Sequence, residues 1–212
     1  ILFGDSAWLA HIIVDRTHRG KGIGSCIVEH LISIASHKGF STINLIATDL
    51  GAPIYQKAGF KPVCNYLFLK KLHPSATITI SSQLMMAKPE HFQALLNLDL
   101  EITGERRHEL IYPYLSTGLL FVVYQAIEGY YLPGLGQGPI YAKTDRAGIA
   151  LMEQKYSTVD IAVLPEENQS GLDFLIGHGF EIQDTTAIRM VYGLEKPWQP
   201  QHVFSRIGGN YG

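Results

Sequence analysis

Apolar positions along this chain fall into short continuous runs and into helical stripes, and the two alternate. Trp8 to Val14 is apolar except at His11 and has the length of a buried strand. From Gly22 to Lys38, Ile23, Ile27, Leu31 and Ile34 recur at the spacing of one helix face, which predicts a helix packed on a sheet through that face. Gly39 closes it as a C-cap residue, and Thr42 to Thr48 reads as a second buried strand. Further along, the pattern predicts helices near Pro89 to Leu100 and Glu105 to Leu115. Strands follow at Leu119 to Gln125, Ile127 to Leu132 and Gly138 to Ala142. A helix at Asp145 to Tyr156, a strand at Thr158 to Leu164, a helix at Gln169 to His178 and a strand at Thr186 to Tyr192 complete the series.

The two halves echo one another. Phe40-Ser41-Thr42-Ile43-Asn44-Leu45 returns as Tyr156-Ser157-Thr158-Val159-Asp160-Ile161, a shift of 116 residues, and Ala58-Gly59-Phe60 returns as His178-Gly179-Phe180, a shift of 120. One four-residue insertion near Pro165 to Gln169 reconciles the shifts. The order of elements predicts an α/β (α+β) fold of two mixed-sheet domains, over 1–71 and 78–212, joined by a linker at 72–77 that includes Leu72-His73-Pro74-Ser75.

Composition narrows the function. With 46% hydrophobic and 17% charged residues, 212 residues can bury one large core or two small ones. A formal charge of −2 gives no general attraction to nucleic acid or to an anionic membrane, although the local cluster Arg16, His18, Arg19 and Lys21 would give a salt-dependent affinity if it bound nucleic acid. Two cysteines, Cys26 and Cys64, make no disulfide framework and suit a reducing cytoplasm. Cys26 reads as a small core residue. The nine histidines show no metal-ligand spacing, so no metal is expected. The longest apolar run, Leu119 to Tyr124, is too short to span a bilayer.

Arg19-Gly20-Lys21-Gly22-Ile23-Gly24 carries the chemistry. It lies between a predicted strand and a predicted helix, where a glycine loop and the unpaired N–H groups of a helix start together seat a phosphate. A P-loop is excluded because Gly22 and Ile23 follow Lys21, and G-x-G-x-x-G fails from both Gly20 and Gly22. What remains, R-x-x-G-x-G after Ile12-Ile13-Val14-Asp15, resembles the acetyl-CoA pyrophosphate loop of the GNAT superfamily of N-acetyltransferases. Tyr55-Gln56-Lys57-Ala58-Gly59-Phe60 is similar to the Y-x-K-x-G-F signature of the same superfamily, in the same order, so the resemblance covers Trp8 to Lys71.

That resemblance implies acetyl-CoA held by Ile12, Ile13, Val14, Arg19, Gly20, Lys21, Gly22, Ile23, Gly24 and Ser25. It also implies N–H groups of the Ile12 to Val14 strand at the thioester carbonyl and Tyr55 as the donor to the departing thiolate. The acceptor would be a small-molecule or peptide primary amine, with neither nucleic acid nor membrane as partner and a homodimer left open. A domain of this family begins with elements before the glycine-loop strand, so the first domain reads as incomplete at its N-terminus, with an open sheet edge beside Trp8 to Val14. The base is open: His11 carries an imidazole, yet alternation aims it opposite to Ala10 and Ile12, and it reads as a buried, hydrogen-bonded histidine.

The second half resembles the C-terminal half of tandem GNAT proteins, with Gly104-Glu105-Arg106-Arg107-His108-Glu109-Leu110 at their G-x-D-R-x-x-L motif and Arg106 in place of its aspartate. Gly129-Tyr130-Tyr131 and Gly138-Pro139-Ile140-Tyr141-Ala142 fit the same resemblance. Its crossover loop, Lys143-Thr144-Asp145-Arg146-Ala147-Gly148, lacks the glycine motif, and Leu175 stands where the first half has Tyr55. The expectation is a tandem protein with one cofactor site and a divergent, cofactor-free second copy. The rival is a catalytically silent acyl-CoA-binding or regulatory module.

Overall fold

The computed structural model describes residues 1–72, 81 and 83–211. The expected linker falls largely on 73–77, which lie outside the described residues. The chain forms two compact units: Ile1–Asn65 with Thr186–Lys196 and Gly208–Gly212, and Tyr66–Thr185 with Pro197–Ile207. They interleave in sequence where contiguous domains are expected from the echoes alone, because the last long strand runs out of the second unit into the first.

In the first unit, β1 (Leu2–Phe3) pairs antiparallel with β2 (Ser6–Trp8), which runs parallel to β3 (Thr42–Ala47). A parallel pair needs a crossover, and α1 (Ile23–His37) supplies it, ending at Lys38 with Gly39 at φ 84°, the left-handed closure expected there. After β3, α2 (Ala52–Lys57) leads through Gly59-Phe60 into β4 (Lys61–Lys71). The core joins Ala7, Ile43, Leu45, Ala47, Phe60 and Met190 to Val28, Ile32 and Ala35 of α1. This corrects the helix face. Val28, Ile32 and Ala35 are buried, whereas Ile23, Ile27 and Ile34 are each more than a third exposed. The helix is apolar over more than one stripe, and the sheet takes the one displaced by a single residue, about 100° around the axis.

In the second unit, β5 (Leu84–Met86), β6 (Leu119–Val123), β7 (Ala126–Tyr131), β8 (Ile140–Ala142) and β11 (Val203–Ser205) form an antiparallel sheet in the order β11-β8-β7-β6-β5. The edge strands β5 and β11 are not among the expected elements. The helical run near Pro89 to Leu100 becomes a 3-10 turn at Pro89–His91 and α3 (Phe92–Thr103), and the next becomes α4 (His108–Ile111) with a 3-10 stretch at Tyr112–Thr117. α5 (Asp145–Tyr156), β9 (Ile161–Pro165) and α6 (Gln169–Gly177) follow closely as expected, and the final strand β10 is longer, Phe180–Gly193. Leu151, Met152, Tyr156, Leu164, Leu175 and Phe204 centre the core.

The echoes have a structural counterpart. The strand that follows Gly59-Phe60 pairs over Tyr66 to Lys70 with β9 in the second unit, while the strand that follows Gly179-Phe180 pairs over Ile188 to Gly193 with β3 in the first. The registers match: Phe68 faces Val163, and Ile188 faces Ala47. The shift of 120 residues carries Phe68 to Ile188, and that of 116 carries Ala47 to Val163. Each unit thus takes in the strand that follows the other's Gly-Phe, in one register.

Candidate active site

The strand expected over Trp8 to Val14 ends at Trp8, one residue beyond which the last ladder bond, Leu9 N–H to the Asn44 carbonyl at 2.9 Å, is made. Ala7 and Leu9 point into the core, and strict alternation would send His11 and Ile13 there as well. Instead Ile12 packs on that core, Ile13 is 76% exposed, and His11 stands at φ 56°. The side-chain phase slips by one residue where the chain leaves the ladder, at the positive φ of His11. The slip reverses the expectation for His11, which is exposed rather than buried. Beyond His11, among the described residues, nothing accepts the N–H groups of Ile12, Ile13 or Val14.

Asp15 turns the chain. Its carboxylate accepts from the Thr17 hydroxyl at 2.6 Å and the Thr17 N–H at 2.8 Å, capping a 3-10 turn over Arg16–His18. Those two bonds hold the Asp15 carboxyl below its ordinary range. Arg19 then reaches back, donating from Nε to the Val14 carbonyl at 3.0 Å, so the loop is tied to the extended segment before it.

Gly20 and Gly22 have φ 75° and 79°, a region that L side chains rarely adopt, and open space lies where a Cβ would stand on either. Backbone conformation, not crowding, therefore favours glycine at these two positions. At Gly24 a Cβ would lie 3.7 Å from both Val14 Cγ2 and Ile54 Cδ1, ordinary contact. Val14, the start of α1 and the residue before Tyr55 thus meet within one layer of atoms. Gly22 is the N-cap of α1 and has no side chain to cap it. The first helical bond is Cys26 N–H to the Gly22 carbonyl at 3.0 Å, which leaves the N–H groups of Ile23, Gly24 and Ser25 pointing out of the helix start. Lys21 is exposed beside them and Ser25 is half-buried. Cys26 is exposed, which corrects its reading as a core residue.

Tyr55 projects from α2, half-buried, with its ring edge-on to Phe60 at a centroid distance of 5.9 Å. A Cβ at Gly51 would stand 3.2 Å from the Tyr55 ring, so glycine there makes room for it. Burial raises the Tyr55 pKa, which keeps the phenol protonated and able to donate. Among the described residues no group hydrogen-bonds its hydroxyl. All eleven residues expected to form the site lie on this extended segment, loop, helix start and α2. Sequence reading missed the positive φ of His11, since a histidine in that conformation leaves no composition signal.

The corresponding helix start in the second unit is closed. Thr144 caps α5 through its hydroxyl, which accepts the Ala147 N–H at 3.3 Å and donates to Glu128 at 3.0 Å, and Asp145 accepts from Ser170 at 2.9 Å. Leu175 lies fully buried in the core. Nearby, Arg107 of the Gly104 to Leu110 stretch pairs with Asp99 and donates to the Tyr141 hydroxyl, and Tyr130 donates to the same carboxylate, all buried. Arg106, at the position that resembles an aspartate, is exposed and takes no part.

Comparison with known proteins fits this geometry. Residues 1–62 match the family described as the acetyltransferase (GNAT) domain. The chain is 26% identical over 230 residues to the uncharacterized N-acetyltransferase YitH of Bacillus subtilis (strain 168), covering 97% of this chain and 77% of that protein. Its fold matches a Pyrococcus horikoshii protein provisionally described as an acetyltransferase, with a TM-score of 0.83 at 18% identity over 100% of this chain and 74% of that one. A GCN5-related N-acetyltransferase from Sphaerobacter thermophilus matches at a TM-score of 0.57 and 16% identity, over 87% and 72% of the two chains. The chain is an acyltransferase by class, with the mixed α/β fold of GNAT acetyltransferases, and the matched residues 1–62 hold every candidate site residue. Among the described residues no helix is long and apolar enough to cross a membrane.

Proposed function

We propose that this chain transfers the acetyl group of acetyl-CoA to a primary amine by direct attack, in a site confined to its first unit. The observation that carries the reading is the pairing of an uncapped helix start, entered through two left-handed glycines, with an extended segment whose N–H groups have no acceptor among the described residues. The N–H groups of Ile23, Gly24 and Ser25, the positive end of α1 and Lys21 seat the pyrophosphate. Those of Ile12 to Val14 stand where a thioester oxygen gains negative charge as the amine adds. Tyr55 gives its proton to the thiolate as the C–S bond breaks. The reciprocal strand registers support reading the second unit as a divergent copy, and its self-capped helix supports reading that copy as cofactor-free. A reducing, cytoplasmic setting belongs to the same reading.

The test uses acetyl-CoA titration and free-thiol release with a panel of amines. Gly22→Asp tolerates the left-handed backbone yet places a carboxylate on the helix start. We expect at least a tenfold loss of acetyl-CoA affinity; an unchanged affinity removes the phosphate seat. Tyr55→Phe is expected to bind acetyl-CoA normally and release thiol roughly 10²-fold more slowly. Binding without amine-dependent release in the wild-type chain would favour a silent acyl-CoA-binding module instead.

A further inference from the structure

The turn out of the ladder puts a histidine in a backbone conformation that favours glycine, beside the segment where the reaction would occur. His11 has φ 56°, and it stands where the extended segment has just left β3. Strain of this kind survives where the surrounding structure enforces it, and it collects at functional sites. The ring is exposed, and among the described residues it has no hydrogen-bond partner. Because His11 precedes Ile12 directly, covalent geometry keeps its imidazole within about 6 Å of the first unpaired N–H group.

The other candidate bases nearby are engaged. Asp15 accepts two bonds from Thr17, and His18 Nδ1 is bonded to the Thr17 hydroxyl at 2.9 Å. We infer that His11 is the general base of the acetyl transfer, taking the proton from the ammonium form of the acceptor; this rests on the function proposed above. In that step the amine loses a proton to the imidazole, its nitrogen forms the bond to the acetyl carbon, and the C–S bond breaks. The second amine proton, lost as the adduct collapses, replaces on Tyr55 the one given to the thiolate, and the imidazolium returns its proton to water. Histidine suits the role because it takes and gives protons near neutral pH.

The groove at His11 is lined also by two cationic groups, the Lys38 ammonium and the Ile1 amino group. The experiment compares wild type with His11→Asn and His11→Gly, residues that accept positive φ. Both are expected to melt no lower than wild type and to bind acetyl-CoA with unchanged affinity. Their amine-dependent thiol release should fall 10²- to 10³-fold, with kcat/KM losing its ionisation near neutrality, and added imidazole should restore part of the His11→Gly rate. Unchanged turnover and pH profile in His11→Gly would overturn the role of His11 and leave the acetyltransferase reading intact. Absence of acetyl-CoA binding, or of any amine-dependent release, in the wild-type chain would overturn both.

Discussion

α1 and α5 each follow a short strand in their own unit, and they differ at both ends. α1 starts uncapped behind Gly22 and buries only Val28, Ile32 and Ala35. α5 starts under the Thr144 hydroxyl, presses Gly148 against Phe204, and buries Lys155 in its last turn. The first N–H groups of α1 have no partner among the described residues, whereas the Thr144 hydroxyl accepts one of those of α5. The difference shows how a strand, loop and helix can leave a helix start open in one place and capped in another, by changing which groups complete it.

The largest effect should come from the closed helix. Lys155 Nζ donates to the carbonyls of Gln137 and Gly138 and to the Ser205 hydroxyl, at 2.6 to 2.8 Å, and burial lowers its pKa to about 7. An unfolded lysine titrates near 10.4, so between pH 7 and that value the unfolded chain holds a proton that the folded chain has lost. Stability therefore rises with pH across this window, by an amount of order 4 kcal/mol, and is flat below and above it. Lys155→Met should abolish that slope in denaturant titrations run from pH 6 to 10.5. An identical pH dependence in wild type and variant would mean that the buried amine stays charged.

The second contrast compares two glycines in the first turns of the two helices. A Cβ on Gly148 would fall 2.2 Å from Phe204 Cζ, inside a fully buried ring, whereas one on Gly24 would sit at 3.7 Å from its nearest neighbours. Gly148→Ala should cost about 2–3 kcal/mol through overpacking. Gly24→Ala should change stability by less than about 1 kcal/mol, with the helix-propensity gain offsetting any crowding. Thermal melts of the two variants decide it, and equal losses would show that the start of α1 is as closed as that of α5.

What sequence reading captured and missed follows the same division. The glycine loop was legible because positive φ at Gly20 and Gly22 is written locally, in residues chosen for it. The two offsets, 116 and 120, match the registers of the long strands, but the echoes alone point to contiguous domains and do not show that each strand pairs in the other unit. The apolar face of α1 was misread because Ile23, Ile27, Leu31 and Ile34 are as regular as the buried set, and the choice between them is made by the sheet. His11 was misread because alternation assumes an unbroken strand, whereas the ladder ends at Leu9 and one residue at positive φ reverses the side chains that follow. Gly148 and Gly24 look alike in sequence; only Phe204, far along the chain, makes one of them obligatory.

The smallest effect tests whether the closed helix start is closed by its cap alone. Thr144→Ala removes the hydroxyl that accepts the Ala147 N–H and should cost about 1 kcal/mol. Its bond to the half-buried Glu128 adds little, because the bond itself lies at the surface, open to water. Uncapping alone should not create a second seat, since Asp145 stays at the first helical position with its negative charge and no left-handed glycine precedes it. Calorimetric titration of Thr144→Ala should therefore show the same acetyl-CoA stoichiometry as wild type, together with a lower melting temperature. A second binding event would mean that the cap alone separates the two helix starts, and that loop conformation and local charge contribute little to the difference.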